Sequence, residues 1–316
     1  MMRAWQACHA CHARQAATPQ RRSAAAPHAA IITITTTQST TTMTATPPAS
    51  LSVAALQMVS TPDVARNLAA AGRLMAQAAD AGARLVALPE YFCLLGQNDR
   101  AKLAIAEAPG DGPIQAFLAE TAQRLGLWVV GGTLPIRTAD PQRVRNSCTV
   151  WSPSGHLAAR YDKIHLFAYD NGQERYDEGR VLEPGHEPVA LDIDGWRVGL
   201  SVCYDLRFPE LYRRLMQPPC DLLLVPSAFT HTTGQAHWEL LLRARAVENQ
   251  CYVLAPAQGG LHENGRRTWG HSLLADPWGD VLAQHAEGEA LVPGTLQASR
   301  LAAVRQQLPA LAHQRL

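Results

Sequence analysis

From Leu51 onward, short apolar runs typical of buried strands alternate with segments of helical periodicity, and no linker-like gap interrupts them. Residues 51–58 and 85–88 are two such runs. Between them, apolar residues recur from Val64 to Ala78 at intervals of three and four, which is the pattern of one helical face. Strands that are apolar on both faces must be covered on both faces. The alternation therefore predicts one mixed α/β domain over residues 49–316, with its strands buried between other layers.

Local signals indicate where some elements begin and end. We expect the first helix to begin at Thr61-Pro62, because proline is favoured at the first helical position. A hairpin is predicted for residues 147–161, around a Ser-Pro-Ser-Gly turn. Another is predicted for residues 271–284, around an Asp-Pro-Trp-Gly turn, and it is the last element that the pattern predicts.

The first 48 residues differ in composition from the remainder. They contain neither Asp nor Glu, and residues 33–46 are mostly threonine. Such a segment has too few apolar side chains to offset the entropy lost on ordering, so we expect residues 1–48 to be a disordered tail. Met43 lies just before the first predicted strand, so residues 1–42 are interpreted as an over-extension of the natural start.

Two patterns in this tail invite other interpretations. Residues 8–12 match the Cys-x-x-Cys-His pattern of covalent haem attachment, but we find neither an export signal nor a haem-wrapping helical domain around them. The acid-free composition is also that of a mitochondrial transit peptide, but a clear amphipathic helix is missing. We interpret both as chance matches.

The overall composition excludes several classes of function. A net charge of +1 gives no general attraction to nucleic acid or to anionic membranes. No apolar run approaches the roughly 20 residues that span a bilayer. Seven cysteines without paired spacing do not suit a disulfide framework and favour a reducing compartment, so we expect a cytoplasmic protein.

Three polar residues follow directly after predicted strands: Glu90, Lys163 and Cys203. Active sites of α/β folds gather at strand ends, where the sheet holds side chains rigidly and loops admit the ligand. A carboxylate, a lysine and a cysteine can together carry acyl transfer, as base, oxyanion partner and nucleophile. Each residue alone also suits an ordinary role: a solvated loop carboxylate, a surface ion pair of the lysine, or a small core cysteine.

The sequence around these residues resembles the nitrilase superfamily of carbon-nitrogen hydrolases. The blocks that carry the resemblance are LPEYF at 88–92, YDKIHLF at 161–167, GLSVCYDLRFPEL at 199–211, PSAF at 226–229, GQAHWE at 234–239, RARAVENQ at 243–250 and DPWG at 276–279. It extends from residue 51 to the C-terminus. The resemblance implies an α/β fold, a four-layer αββα sandwich in a single domain, usually as a homodimer. It also implies an amidase that acts on a small-molecule amide and water with no metal or organic cofactor.

The resemblance also assigns roles to residues. It implies that Glu90 is the general base, Lys163 the oxyanion lysine and Cys203 the nucleophile. Glu178 aligns best with the second glutamate of the family, and Glu174 is the weaker candidate. Lys163 beside two carboxylates should stay charged, and its field should favour the thiolate of Cys203.

Further residues of the site follow from the same resemblance. The backbone amide of Tyr204 would be the second oxyanion donor, because the turn after the nucleophile exposes it. Arg207 matches a carboxylate-binding arginine, and Phe229 and Thr233 match the pocket wall. A salt bridge from Arg207 to Asp205 or Glu210 is the alternative.

The blocks resemble amidases of small α-keto acids that carry a terminal amide. Deaminated glutathione is the expected substrate and α-ketoglutaramate the alternative, with nitriles and N-carbamoyl compounds less favoured. A catalytically inactive binding protein with the same fold is an alternative of another class.

The remaining cysteines and the histidines suggest other possibilities. Cys148, Cys220 and Cys251 are predicted to be core residues, and Cys93 is predicted to line the site without reacting. A cysteine protease would need a histidine base, for which His165, His231 and His237 are the candidates, but no local protease signature surrounds Cys203.

Overall fold

The computed structural model describes residues 48–172 and 175–315. Its strands are β1 Ser50–Gln57, β2 Leu85–Ala87, β3 Trp128–Val130, β4 Leu134–Arg137, β5 Val144–Trp151, β6 Leu157–Asp162, β7 Ala168–Asp170, β8 Arg175–Asp177, β9 Val189–Ile193, β10 Trp196–Leu200, β11 Leu222–Leu224, β12 Tyr252–Ala255, β13 Gly259–Leu261, β14 Arg267–Trp269, β15 Ser272–Ala275, β16 Val281–His285 and β17 Ala290–Gln297. Its α-helices are α1 Val64–Asp80, α2 Ala101–Ala104, α3 Pro113–Leu125, α4 Pro209–Leu215, α5 His231–Asn249 and α6 Ala298–Gln307.

Two large sheets form the middle of the domain. In one, the neighbouring strands run in the order β17-β1-β2-β3-β5-β4, with β6 paired to β5. In the other, the order is β16-β15-β12-β11-β10-β9. The centres of both sheets are parallel: β1, β2 and β3 in the first, and β10, β11 and β12 in the second.

The burial of β1 shows why the strands are apolar on both faces. Val53 and Ala55 belong to a core shared with the second sheet, whereas Ala54 and Leu56 belong to a core shared with helices. This second core contains the inner faces of α1 and α3, and the first core continues through the second sheet to Trp238 and Leu242 of α5. The layers are therefore helices, sheet, sheet and helices, which is the expected αββα arrangement.

Two details differ from the sequence-based expectations. Helix α1 begins at Val64, not at Thr61-Pro62, because the carboxylate of Asp63 accepts a hydrogen bond from the amide of Arg66 and caps the helix one residue after the proline. The predicted last hairpin is followed by β17 and α6, and β17 pairs antiparallel with β1 along its whole length.

Within residues 48–172 and 175–315, no helix is long and apolar enough to cross a membrane. The predicted disordered tail and its haem-like pattern lie outside the described residues, except for residue 48.

Candidate active site

Glu90 is held at the end of β2 by the chain that follows β3. Gly132 has φ +50°, and a Cβ at this position would lie 2.1 Å from the carbonyl oxygen of Pro89, so only glycine fits so closely. The hydroxyl of the next residue, Thr133, accepts a hydrogen bond of 2.8 Å from the amide of Tyr91. These contacts fix Glu90, which is 1% exposed.

Lys163 follows β6 and meets two carboxylates. Its ammonium Nζ lies 2.9 Å from Glu90 Oε1 and 2.8 Å from Glu178 Oε2, and its side chain is fully buried. The side-chain amide of Asn146, on the neighbouring strand β5, donates to Glu90 Oε1 at 2.8 Å. We call Glu90, Lys163 and Glu178 the buried polar cluster.

Glu178 begins a short 3₁₀ turn after β8, and its carboxylate has four hydrogen-bond contacts. Besides both contacts with Lys163, it accepts from the Tyr91 hydroxyl at 2.6 Å and from the Phe167 amide at 2.7 Å. The structure thus brings Glu178 to Lys163, whereas the other candidate, Glu174, lies outside the described residues.

Cys203 lies in a constrained turn just after β10. Its φ is +50°, a left-handed conformation that costs a residue with a side chain roughly 1–3 kcal/mol. Its amide donates to the Pro226 carbonyl at 3.0 Å. The turn is closed by the Asp205 carboxylate, which accepts from the Val202 amide at 2.9 Å and the Tyr161 hydroxyl at 2.7 Å. The backbone therefore fixes the direction of the thiol.

Burial and neighbouring charges determine which groups of the site are ionised. Burial tends to lower the pKa of Lys163, but the two glutamates outweigh it and hold that pKa well above its usual range. Burial tends to raise the pKa of Glu178, but Lys163 and the hydrogen bonds lower it overall. In Glu90, burial dominates and raises the pKa. Lys163 is therefore charged, as expected.

The field of Lys163 favours the thiolate of Cys203, as expected, but burial outweighs it. Burial raises the pKa of the thiol well above its usual range, and the charge of Glu90 raises it further. Lys163 acts in the opposite direction but does not reverse the shift. The resting cysteine is therefore a thiol, and an attack by its sulfur requires a base.

A cavity with an empty volume of about 210 Å³ opens above Cys203. We call it the acyl cavity, and its walls are Phe167, Cys203, Tyr204, Arg207, Ala228, Phe229, Thr230 and Thr233. The Tyr204 amide is in the first turn of a 3₁₀ helix that begins at Cys203, where amides have no partner within the helix.

Arg207 contacts only neutral groups. Its guanidinium lies 5.2 Å from the ring of Phe229 and 5.8 Å from that of Tyr204, and it donates to His237 Nδ1 at 3.2 Å. None of the ion pairs in the described parts of the chain includes Arg207, so the alternative of a salt bridge to Asp205 or Glu210 is wrong. The charge of Arg207 is thus available at the cavity wall.

The other cysteines are placed in the cores. Cys148, Cys220 and Cys251 are fully buried core residues, as predicted. The prediction for Cys93 is wrong: it packs in the core between the first sheet and helices α1 and α3, and its thiol donates to the Thr133 carbonyl at 3.7 Å. Cys93 lies in the turn of residues 90–93 and not on a strand, so its distance of three residues from Glu90 does not place it in the cavity.

The candidate histidine bases have other partners. The ring of His165 stacks on Phe208, and its Nδ1 lies 2.7 Å from Asp205 Oδ1. His237 accepts from Arg207, and His231 packs edge-on against Trp269. Among the hydrogen bonds of residues 48–172 and 175–315, none joins these rings to Cys203. In the same residues, no group of three or more His, Cys, Asp or Glu could hold a metal ion.

Sequence reasoning missed several residues that support the site. Asn146 and Tyr91 each bond one of the two glutamates, and the Asp205–Tyr161 pair closes the turn of Cys203. A buried amide within a strand such as β5 is a recognisable signal, because polar groups there need partners. The Asp205–Tyr161 contact joins residues 44 positions apart, so no local pattern indicates it.

Comparisons with known proteins identify the family of the chain. The family model described as carbon-nitrogen hydrolase matches residues 52–306. The deaminated glutathione amidase of Synechocystis sp. (strain PCC 6803 / GT-S) is 42% identical over 264 residues, which are 82% of this chain and 96% of that protein. The omega-amidase NIT2 of Homo sapiens is 37% identical over 268 residues, which are 84% of this chain and 95% of that protein.

A solved structure gives the same result for the fold. The crystal structure of Saccharomyces cerevisiae Nit3, a member of branch 10 of the nitrilase superfamily, aligns with a TM-score of 0.77 at 28% identity. The alignment covers 85% of this chain and 98% of that one. The expected sandwich of the nitrilase type and the resemblance seen in the sequence are both confirmed.

Proposed function

The chain belongs to the carbon-nitrogen hydrolase family and is an amidase, and we propose that it hydrolyses the terminal amide of a small α-keto acid, with deaminated glutathione as substrate. The observation that carries the substrate class is the guanidinium of Arg207, which lines the cavity of Cys203 and has no carboxylate partner among the described residues. An α-keto acid supplies a carboxylate that this charge would bind.

The reaction begins with proton transfer from Cys203 to Glu90. Cys203 is a thiol at rest, and Glu90 is close enough for each group to shift the pKa of the other. As Glu90 takes the proton, the sulfur attacks the amide carbon, and Glu90 then passes the proton to the departing nitrogen. The product of this step is a thioester on Cys203 and a free amine.

Water completes the reaction. Glu90, ionised again, takes a proton from a water molecule as the water attacks the thioester carbon. The tetrahedral intermediate collapses, the carbon–sulfur bond breaks, and the proton returns to the sulfur. The acid leaves, and the thiol of Cys203 is restored.

The negative oxygen of both intermediates would be stabilised by Lys163 and the Tyr204 amide. Lys163 has three N–H donors. With one on Glu90 and one shared by the two oxygens of Glu178, the third remains for the substrate. Glu178 keeps the ammonium charged and in place, because its carboxylate is itself fixed by Tyr91 and Phe167.

Arg207, Phe229 and Thr233 would bind the acyl part of the substrate. Phe229 is buried against Trp238, at a ring distance of 4.9 Å, which makes it a rigid wall. The hydroxyl of Thr233 lies 2.8 Å from that of Thr230, so the polar edge of the cavity is fixed as well. This edge suits the keto oxygen of the substrate.

α-Ketoglutaramate is the second candidate substrate, because an omega-amidase, the NIT2 protein of Homo sapiens, is 37% identical to this chain. α-Ketoglutaramate carries the same acyl group as deaminated glutathione, so the acyl cavity suits both. The leaving group of α-ketoglutaramate is ammonia, whereas deaminated glutathione releases the dipeptide cysteinylglycine. Both substrates yield the same acid, α-ketoglutarate.

The test is a comparison of kcat/KM for these two substrates, measured as release of α-ketoglutarate. Deaminated glutathione should give the higher value, and the reverse order would assign the second substrate. A nitrile and an N-carbamoyl amino acid should be poor substrates. Rapid-quench mass spectrometry of the wild-type enzyme during turnover should show an acyl adduct on Cys203, and its absence with every amide, together with no turnover, would favour an inactive binding protein.

We also propose that the protein is a homodimer. The outer face of α5 exposes Leu240 and Val247, which are 68% and 49% exposed. Beside them, Trp278 is 51% exposed in a turn that Arg243 ties to the helix by a 2.7 Å bond to the Gly279 carbonyl. Contiguous exposed apolar groups of this kind mark contact surfaces. Sedimentation should give a dimer, and Leu240→Glu should yield the monomer.

A reducing location is part of the same proposal. The five cysteines within the described residues are all unpaired, which suits the cytoplasm. Fractionation of cells that express the protein should recover it with cytoplasmic markers.

A further inference from the structure

A second cavity, with an empty volume of about 600 Å³, lies on another side of the buried polar cluster. Its walls include Tyr91, Tyr176 and the segment 94–99, and the mechanism above uses none of this space. Among the described residues that line it, three are cations, Lys102, Arg175 and Arg266. Lys102 pairs with Asp99 and Arg175 with Asp170, which leaves Arg266 without an ion pair in the described residues.

Two of these cations are held in place by aromatic rings. The ammonium of Lys102 lies 4.6 Å from the centre of the Tyr91 ring, and it pairs with Asp99 at 3.2 Å. The guanidinium of Arg266 lies 5.0 Å from the centre of the Tyr176 ring. Cation–π contacts orient a guanidinium without neutralising its charge.

Arg266 differs from its neighbour Arg267 in how its charge is compensated. Arg267 pairs with Glu287 at 2.7 Å on the surface. Arg266 is half-buried, and none of the ion pairs found across residues 48–172 and 175–315 includes it. A half-buried guanidinium with only neutral contacts is a binding position for an anion.

The second cavity is separated from the catalytic groups by single aromatic rings. The Tyr91 ring borders it, and the hydroxyl of the same residue donates to Glu178 at 2.6 Å. Tyr176 also borders it, and the centre of the Tyr176 ring lies 5.6 Å from that of Phe167, which lines the acyl cavity.

The ring of Tyr176 connects the two cavities, because it lies 5.6 Å from Phe167 on one side and 5.0 Å from the guanidinium of Arg266 on the other. Among the described residues, Arg266 is thus the nearest cation without an ion pair on the far side of this ring contact. A leaving group longer than ammonia would extend from the acyl cavity toward it.

We propose that the second cavity is the leaving-group subsite and that Arg266 binds the terminal carboxylate of a peptide amine. The inference rests on the proposed amidase function and deepens it. Arg207 binds the carboxylate of the acyl part, and Arg266 binds that of the departing peptide. The enzyme would thus recognise its substrate at both ends. When the leaving group is ammonia, the second cavity would not be occupied.

Arg266→Gln tests the proposal, with Arg267→Gln as the matched control. With deaminated glutathione, Arg266→Gln should raise KM and lower kcat/KM at least about tenfold, the usual scale of one charge-assisted contact. With α-ketoglutaramate, the change should stay within about twofold. Arg267→Gln should alter neither value, and Arg266→Lys should restore part of the loss.

A change in the substrate provides an independent measurement. Deaminated glutathione with its terminal carboxylate converted to a carboxamide should lose about the same factor on the wild-type enzyme. On Arg266→Gln, the acid and the carboxamide should react at similar rates. If the loss caused by Arg266→Gln equals the loss caused by the carboxamide on the wild-type enzyme, the terminal carboxylate of the substrate binds Arg266.

The outcomes separate the inference from the proposed function. If the wild-type enzyme prefers deaminated glutathione but Arg266→Gln loses nothing, or loses equally on both substrates, the subsite is wrong and the amidase function stands. If the wild-type enzyme hydrolyses only α-ketoglutaramate, the substrate assignment and the subsite both fail.

Discussion

The buried polar cluster and the acyl cavity meet at Cys203, but they treat charge in opposite ways. In the cluster, Lys163 lies within 3.0 Å of two carboxylates that are themselves hydrogen-bonded to neighbouring groups. In the cavity, Arg207 contacts aromatic rings and a histidine, and its charge has no partner among the described residues.

The difference shows which part of the site is complete without substrate. A buried charge must be compensated by the protein, so the cluster is organised before any ligand arrives. A charge at a cavity wall can be left for the ligand to pair. We therefore expect changes in the cluster to affect every substrate and changes in the cavity to affect some.

Cys203→Ala is the largest expected effect and should affect all substrates equally. Turnover of α-keto ω-amides and of a neutral amide should both be abolished, because no acyl-enzyme can form. The melting temperature should stay within a few degrees, since hydrogen bonds of the backbone and of Asp205 close the turn. Release of α-ketoglutarate near the wild-type rate would overturn the mechanism.

Lys163→Ala should also reduce activity on every substrate. A loss of roughly 10²-fold or more in kcat is expected, the usual scale for an oxyanion donor. The variant also leaves Glu90 and Glu178 buried without their cation, so the free energy of unfolding should fall by about 3–5 kcal/mol. Urea unfolding and kinetics on two substrates measure both effects. An unchanged kcat in a folded variant would remove Lys163 from the mechanism.

Arg207→Ala should reduce activity only on substrates that carry a carboxylate, unlike substitutions in the buried polar cluster. For an α-keto ω-amide, kcat/KM should fall by roughly 10²-fold with a higher KM, because a charge-assisted contact of about 2–3 kcal/mol is lost. A neutral aliphatic amide should lose little. Arg73→Ala, which removes a surface ion pair with Glu289, is the control and should alter neither. Equal losses on both substrates would show that Arg207 has a structural role.

The pH dependence of kcat/KM should be determined by the buried polar cluster alone. Glu90 must be ionised to act as base, and burial raises its pKa, so kcat/KM should fall as the pH is lowered through a value above the ordinary 4.5. Glu178, whose pKa is lowered, stays ionised in that range. A charged and a neutral amide should give the same acid limb. Different limbs, or a limb below 4.5, would show that another group controls the rate.

Removal of residues 1–42 should have the smallest effect on activity and stability. It should not distinguish the buried polar cluster from the acyl cavity. The composition of this segment predicts no packed structure, so activity on both kinds of amide and the melting temperature should be unchanged. Calorimetry and kinetics on the shortened chain provide the measurement. A loss of several degrees would show that the segment contributes to the fold.

The sequence by itself determined the class of fold and the candidate catalytic residues. Apolar runs of strand length between helical periodicities require covered sheets and so predict a mixed α/β domain, and the resemblance implied the four-layer sandwich. Glu90, Lys163 and Cys203 stand where such runs end, and family-like blocks surround them, so their proximity could be predicted without coordinates.

Only the tertiary structure decided how these groups are ionised and what surrounds them. The pKa of Cys203 depends on burial and on Glu90, which is 113 residues away in sequence, and these outweigh the field of Lys163 that the sequence predicted. The charge of Arg207 was left open by the sequence, because Asp205 and Glu210 are near in the chain, whereas among the described residues neither forms an ion pair with Arg207. Local patterns record which residues are adjacent along the backbone. Desolvation and charge pairing depend on distances across layers, which only the folded chain sets.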